Sequence, residues 1–243
     1  LTAHPMYSPT DGSASSQAER PPGLPPKERF HLFTLAGQSN MAGRGLITPA
    51  DQVPHPRVYA WSQEGGWVPA VDPIHWDKPQ AGVGLGRSFG LALAEANPDI
   101  TIGLIPAACG GSPIDTWTPG GYHAQTQSHP YDDALDRTQR ALADGVLRGI
   151  LWHQGESDAD PELAPAYKHK LARLIARFRE AFGQPTLPFL IGQMGRFAQT
   201  PWDAAKAQVD AAHRALAAEL PGVGFVSSEG LTCLPDGVHF DAP

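Results

Sequence analysis

Apolar positions along the chain fall into two kinds of run. Five runs are short and almost unbroken: residues 30–36 (with His31-Leu32-Phe33-Thr34-Leu35-Ala36), 101–105, 147–152, 188–194 and 223–226. Each is too short for a stable helix and predicts a buried strand. Between them the apolar residues recur at three- and four-residue spacings. Gly86 to Ala96 predicts a helix stopped by Asn97-Pro98. Residues 131–144 predict another, with Ala134, Leu135, Thr138, Ala141 and Leu142 on one side. A third, over 165–182, buries Tyr167, Leu171, Leu174, Ile175, Phe178 and Phe182 and turns Lys168, Lys170, Arg173, Arg177 and Arg179 to solvent. The fourth begins at Thr200-Pro201, with threonine as cap and proline in the first turn, and carries the stripe Ala205, Val209, Ala212, Leu216 and Leu220.

Strands alternating with helices imply a parallel sheet with helices on both faces, because each parallel connection needs a crossover. The chain of 243 residues suits one such α/β domain, expected over residues 29–243. Residues 1–28 hold six prolines among small and charged residues and predict a tail or linker with little regular structure. The stretch after the Gly37-Gln38-Ser39-Asn40 turn is irregular through Gly82, with a short two-stranded excursion at Val58-Tyr59-Ala60-Trp61 and Gly66-Trp67-Val68. Its tryptophans, Trp61, Trp67 and Trp76, favour an ordered loop and offer either local packing or an aromatic wall for a ligand.

Charge narrows the partners. The formal net charge of -7 comes from scattered carboxylates, and the 18 lysines and arginines form no phosphate-binding stripe, so nucleic acid is not an expected partner. No apolar stretch approaches the ~18 to 20 residues of a membrane span, so no membrane association is expected. Leu1 in place of Met points to a processed or excised chain, with a secreted or periplasmic location favoured. The two cysteines, Cys109 and Cys233, read as separate thiols rather than a disulfide framework.

The polar residues that stand out all follow predicted strands. Ser39 lies in Gly37-Gln38-Ser39-Asn40-Met41; Gly110-Gly111-Ser112 follows the second strand; His153-Gln154-Gly155-Glu156-Ser157-Asp158 follows the third; Asp236-Gly237-Val238-His239 follows the fifth. In a parallel sheet the carboxyl ends share one edge, so these clusters converge on one crevice. A serine hydroxyl needs a base to become a nucleophile. His239 is the candidate base and Asp236, three residues earlier, its candidate partner. The N–H groups of Ser39 and Gly111 and the Gln154 amide are candidate oxyanion donors. His153, Glu156 and Asp158 lack the spacing of a metal site, and Glu156 fits better as a carboxylate orienting His239 or bracing the loop of Gln154.

Together, these four motifs resemble the SGNH-hydrolase superfamily and, within it, the sialate O-acetylesterase-like branch that includes acetylxylan esterases of carbohydrate esterase family six. The resemblance spans about residues 30–240. It implies a flavodoxin-like three-layer α/β/α sandwich with a central parallel sheet of about five strands, no metal or other cofactor, and hydrolysis of acetyl esters on sugars. It makes Ser39 the nucleophile, His239 the base, and Ser39, Gly111 and Gln154 the oxyanion hole, with Asp236 and Glu156 both candidates for the partner of His239. Gln38, Asn40, Trp117 and His153 are the expected substrate contacts. The family continues past its histidine block into a closing helix, whereas this sequence ends at Asp241-Ala242-Pro243. The rival functions are a non-catalytic carbohydrate-binding protein on the same fold, and a lipase- or thioesterase-like hydrolase of other acyl esters.

Overall fold

A computed structural model describes residues 23–242. Most of the expected tail therefore lies outside the described residues; of its last part, Leu24 packs against the core and Lys27–Arg29 forms a 3-10 turn. The central sheet has seven strands: β1 (Phe30–Gly37), β2 (Val58–Trp61), β3 (Trp67–Pro69), β4 (Thr101–Pro106), β5 (Val146–His153), β6 (Phe189–Gly192) and β7 (Val223–Val226). Their order is β3-β2-β4-β1-β5-β6-β7, and every neighbouring pair is parallel except the β2/β3 pair at the edge. The five expected strands are its centre and one flank. The excursion at Trp61 and Trp67 enlarges the sheet, because Val58 takes the register position beside Ile102 of β4.

The two faces of β1 show why the strand is buried on both sides. Phe30, Leu32 and Ala36 join one core cluster, and Phe33 and Leu35 join the other. The first cluster is closed by α3 (Pro130–Ala141), α4 (Ala164–Ala181) and α5 (Ala204–Glu219), and the second by α1 (Ser39–Ala42) and α2 (Leu85–Ala96). On the side of α2, the half of the sheet over β5 and β6 has no helix among the described residues. Leu151 and Leu190 there line a groove of about 560 Å³ together with Met41, Phe89 and Leu231.

Helices follow the periodicity closely. The basic residues of α4 do lie outward: Lys168 pairs with Glu219 and Lys170 with Asp115, both at 2.7 Å. One start differs. The last helix begins at Ala204, capped by Asp203, whose carboxylate accepts the Lys206 N–H at 2.8 Å. Thr200 does not cap it because its hydroxyl donates instead to Gly237 O at 2.8 Å, a contact 37 positions away. Both cysteines are free thiols. Trp61 and Trp67 pack edge-to-face at 5.1 Å, Trp67 lies on Phe30 at 4.6 Å, and Trp76 lies under the Arg137 guanidinium at 5.0 Å, so these rings serve packing.

Strand order places the polar clusters. After β1 the chain builds β2, β3 and β4 on one side of it and then β5, β6 and β7 on the other, so the order reverses at β1. Open α/β sheets bind ligands outside the carboxyl ends at such a point. Leu35 pairs with Pro106 and Gly37 with His153, which brings the ends of three strands to the same edge.

Candidate active site

Gly37 ends β1 with a φ of 134°, and a Cβ there would lie 2.1 Å from His153 O, so only glycine permits this approach of the two strands. The turn is pinned to both neighbours: Gln38 N–H donates to His153 O and Cys109 N–H to Gly37 O, each at 2.9 Å. Ser39 is thereby fixed as the first residue of α1. The far end of the chain supplies the second half of the site. Leu234 N–H donates to His239 O at 2.8 Å and Gly237 N–H to Leu234 O at 3.0 Å, closing residues 234–239 into a turn that presents Asp236 and His239 together.

His239 Nε2 lies 2.9 Å from Ser39 Oγ, and its Nδ1 lies 2.7 Å from Asp236 Oδ2. The other Asp236 oxygen accepts the N–H groups of Val238 at 2.8 Å and His239 at 3.0 Å. Partial burial raises the Asp236 pKa, but hydrogen bonds from the His239 N–H, its imidazole and the Val238 N–H outweigh it and bring the carboxyl to about 2. The carboxylate is thus ionised near neutral pH. With Nδ1–H donating to Asp236, Nε2 is free to accept the serine proton. Beside this relay opens a cavity of about 460 Å³ lined by Ser39, Gly110, Gly111, His239, Asp236, Arg44, Lys78, Gln80 and Leu234. Among the described residues, no hydrogen-bond acceptor takes the N–H of Ser39 or of Gly111. The arrangement can deprotonate a hydroxyl and place two backbone donors beside the oxygen that becomes charged.

The remaining candidates are placed differently. Glu156 does not reach His239: its Oε1 accepts Asn40 Nδ2–H at 2.7 Å, and its Oε2 is buried without a partner. Gln154 is fully buried and donates both amide hydrogens inward, to Ser112 O at 3.1 Å and Asp158 Oδ2 at 2.6 Å, while its Oε1 accepts the Tyr167 hydroxyl at 2.8 Å. It has no hydrogen left for an oxyanion. The four expected substrate contacts also belong to the framework. Gln38 Oε1 accepts the Ser157 N–H at 3.3 Å. Asn40 bonds Val238 O and Phe240 N at 3.1 and 3.2 Å. Trp117 is wholly buried, donating to Ser112 Oγ at 2.9 Å and packing edge-to-face on Trp152. His153 donates Nε2–H to Gln193 O at 2.9 Å and meets Phe240 edge-on at 5.5 Å; burial lowers its pKa. Each was expected to contact substrate, but its side chain is engaged by hydrogen bonds within the fold.

Sequence reasoning missed the polar wall of the cavity. Arg44 carried a signal, as a lone charge between Gly43 and Gly45 just after the serine turn. Lys78 and Gln80 carried none, since an irregular loop has no periodicity to aim a side chain. His153, Glu156 and Asp158 diverge to different partners, and no group of three or more His, Cys, Asp or Glu side chains gathers as a metal site among the described residues.

A family model described as carbohydrate esterase, sialic acid-specific acetylesterase, matches residues 29–243. The chain belongs to that family. Among curated relatives of this esterase family, a probable carbohydrate esterase of Arabidopsis thaliana is 30% identical over 252 aligned positions, covering 95% of this chain and 89% of the relative. The X-ray structure of the protein from that Arabidopsis locus superposes with a TM-score of 0.76 at 30% identity, over 89% of this chain and 92% of the other. Two more distant structures share the fold: NanS, with a TM-score of 0.69 at 20% identity over 88% and 83% of the two chains, and XAC1771, a carbohydrate acetylesterase from Xanthomonas citri, at 0.62 and 21%. The match to XAC1771 covers 81% of this chain and 49% of that one.

Proposed function

We propose that this carbohydrate esterase is a serine acetylesterase that removes acetyl groups from sugar hydroxyls through an acetyl-Ser39 intermediate. The observation that carries the reading is the unbroken line Asp236–His239–Ser39, with contacts of 2.7 and 2.9 Å, ending at a cavity that holds two unclaimed backbone N–H groups. In this mechanism Ser39 Oγ attacks the acetyl carbonyl as His239 Nε2 takes its proton. The tetrahedral oxygen accepts the N–H groups of Ser39 and Gly111. His239 returns the proton to the sugar oxygen as the C–O bond breaks, leaving acetyl-Ser39. Water then attacks with the same base, and acetate leaves.

The acetyl preference is supported by the description of the family model and by the activity named for XAC1771. Acetylated sialic acids and acetylated xylan are both candidate substrates. The relay of serine, imidazole and carboxylate weighs against a purely sugar-binding protein, which has no use for an activated hydroxyl. A fluorophosphonate probe is expected to label Ser39, and Ser39→Ala is expected to abolish hydrolysis of 4-nitrophenyl acetate. Unchanged turnover in that variant would discard the assignment. Release of acetate from O-acetylated sialic acid, acetylated xylan and longer acyl esters, measured side by side, then distinguishes an acetylesterase from a hydrolase of other acyl groups.

A further inference from the structure

The glycine pair beside Ser39 has no side chains, yet three successive peptide groups around it are each gripped by a side chain from elsewhere in the fold. Gly110 N–H donates to Asp77 Oδ2 at 2.8 Å, Gly110 O accepts from His123 Nε2 at 3.1 Å, and Gly111 O accepts the Ser157 hydroxyl at 3.0 Å. The middle contact decides the direction of the donor. In a trans peptide the carbonyl and the following N–H point opposite ways, so holding the Gly110 oxygen turns the Gly111 N–H away from His123. That N–H has no acceptor among the described residues, and Gly111 lines the cavity at Ser39.

The grips are rigidly mounted. A carbonyl oxygen only accepts, so His123 donates through Nε2–H and carries that tautomer. His123 is 6% exposed, and its backbone exchanges two hydrogen bonds with Ser128, at 2.9 and 3.3 Å. Asp77 is held in turn by Arg44 at 2.8 Å, and their side chains are 1% and 9% exposed. The glycines themselves supply no such restraint. Gly111 sits at φ 82°, where a Cβ would lie 2.8 Å from Gln125 Oε1, and a Cβ on Gly110 would lie 2.6 Å from Asp77 Oδ2. A Gly-Gly peptide tolerates these approaches but also rotates at little steric cost. Its orientation must come from neighbours.

We propose that His123 is a positioning residue for the oxyanion site: it holds the Gly110–Gly111 peptide with the Gly111 N–H facing the Ser39 cavity, while Asp77 and Ser157 fix the peptides on either side. This rests on the reading of Ser39 as nucleophile and of Gly111 as an oxyanion donor. His123 touches no reacting atom; it acts through the peptide it holds.

The test compares His123→Leu, His123→Gln, Ser157→Ala and Ser39→Ala with the parent enzyme. It follows kcat and KM on 4-nitrophenyl acetate, inhibition by methylboronic acid as a tetrahedral mimic, and thermal midpoint. Complete loss of one oxyanion donor costs about 10²- to 10³-fold in kcat; a donor free to turn away costs less, so His123→Leu is expected to lose about 10- to 100-fold. Boronate affinity falls by the same factor and KM stays within about twofold, because only the tetrahedral state uses the N–H. His123→Gln, which keeps a donor, recovers most of the loss. A purely structural role would lower the midpoint and leave boronate affinity per folded enzyme unchanged. Folded His123→Leu with parental kcat and boronate affinity overturns the proposal, as does a loss confined to KM. If His123→Leu does not fold, Ser157→Ala decides by the same pattern at smaller size. Activity surviving in Ser39→Ala removes Ser39 as the nucleophile, and the proposal with it.

Discussion

Asn40 holds His239 by the backbone on both sides. Its Nδ2–H donates to Val238 O at 3.1 Å and its Oδ1 accepts the Phe240 N–H at 3.2 Å, so one side chain next to Ser39 spans the segment that carries the imidazole. Glu156 completes the clamp by accepting the same amide nitrogen at 2.7 Å. Two residues at opposite ends of the chain are thereby locked at hydrogen-bond distance.

Removing the clamp is expected to misplace the base without removing it. Asn40→Ala leaves the Phe240 N–H, Val238 O and Glu156 Oε1 without this partner, and a displacement of about 1 Å at a reacting group costs up to 10²-fold. The expected result is a fall in kcat of about 10- to 100-fold with KM little changed. Parental kcat on 4-nitrophenyl acetate would show that the clamp is dispensable.

The two carboxylates separate by what they touch. Asp236→Asn alters the group on His239 Nδ1, whereas Glu156→Gln keeps an oxygen for Asn40. A fully buried triad aspartate is worth about 10⁴-fold in kcat. The Asp236 side chain is 45% exposed, which lets water share its task, so a loss of about 10³-fold is expected. Glu156→Gln is expected within about tenfold of the parent, since its effect passes through Asn40 alone. A larger loss in Glu156→Gln than in Asp236→Asn would reverse the assignment.

For Gln154 the expectation is a stability effect. Gln154→Leu leaves Ser112 O unpaired in the core and takes one partner each from Asp158 Oδ2, which keeps the Ile114 N–H, and from the Tyr167 hydroxyl, which keeps His213, and a buried group left unpaired costs about 1 to 3 kcal/mol. The thermal midpoint should therefore drop by several degrees. A variant of parental midpoint with kcat reduced about 10²-fold or more would instead restore Gln154 as an oxyanion donor.

Asp72 gives a pH dependence of defined sign. Burial raises its pKa to about 6, against the pull of Arg87 and the Gly84 N–H, and its Oδ1 is buried without a partner. The folded state therefore holds its proton more tightly than an unfolded chain with an aspartate pKa of about 3.9. Its contribution to stability is lost as pH rises from about 4 to about 6, and above that window the ionised group costs roughly 3 kcal/mol. Asp72→Asn is expected to raise the thermal midpoint by several degrees at pH 8 and to change it little at pH 4. An equal shift at both values would mean that ionisation of Asp72 is not the cause.

Strand and helix positions were legible in the sequence because burial imposes a local period: Phe33 and Leu35 against Leu32 and Ala36, or Leu171, Leu174 and Phe178 along α4. The candidates Ser39, Gly111, Asp236 and His239 were legible for a related reason. Each follows a strand, or the loop after one, and a parallel sheet gathers those ends at one edge. Direction is another matter. Whether Asp236 or Glu156 faces His239, whether the Gln154 amide turns to the cavity or to Asp158, and whether Thr200 caps a helix or holds Gly237 all depend on competing hydrogen bonds from distant segments. Such competition leaves no period in a single chain. Composition and spacing named the candidate groups, and only tertiary contacts decided which polar side chains face the cavity and which hold its walls in place.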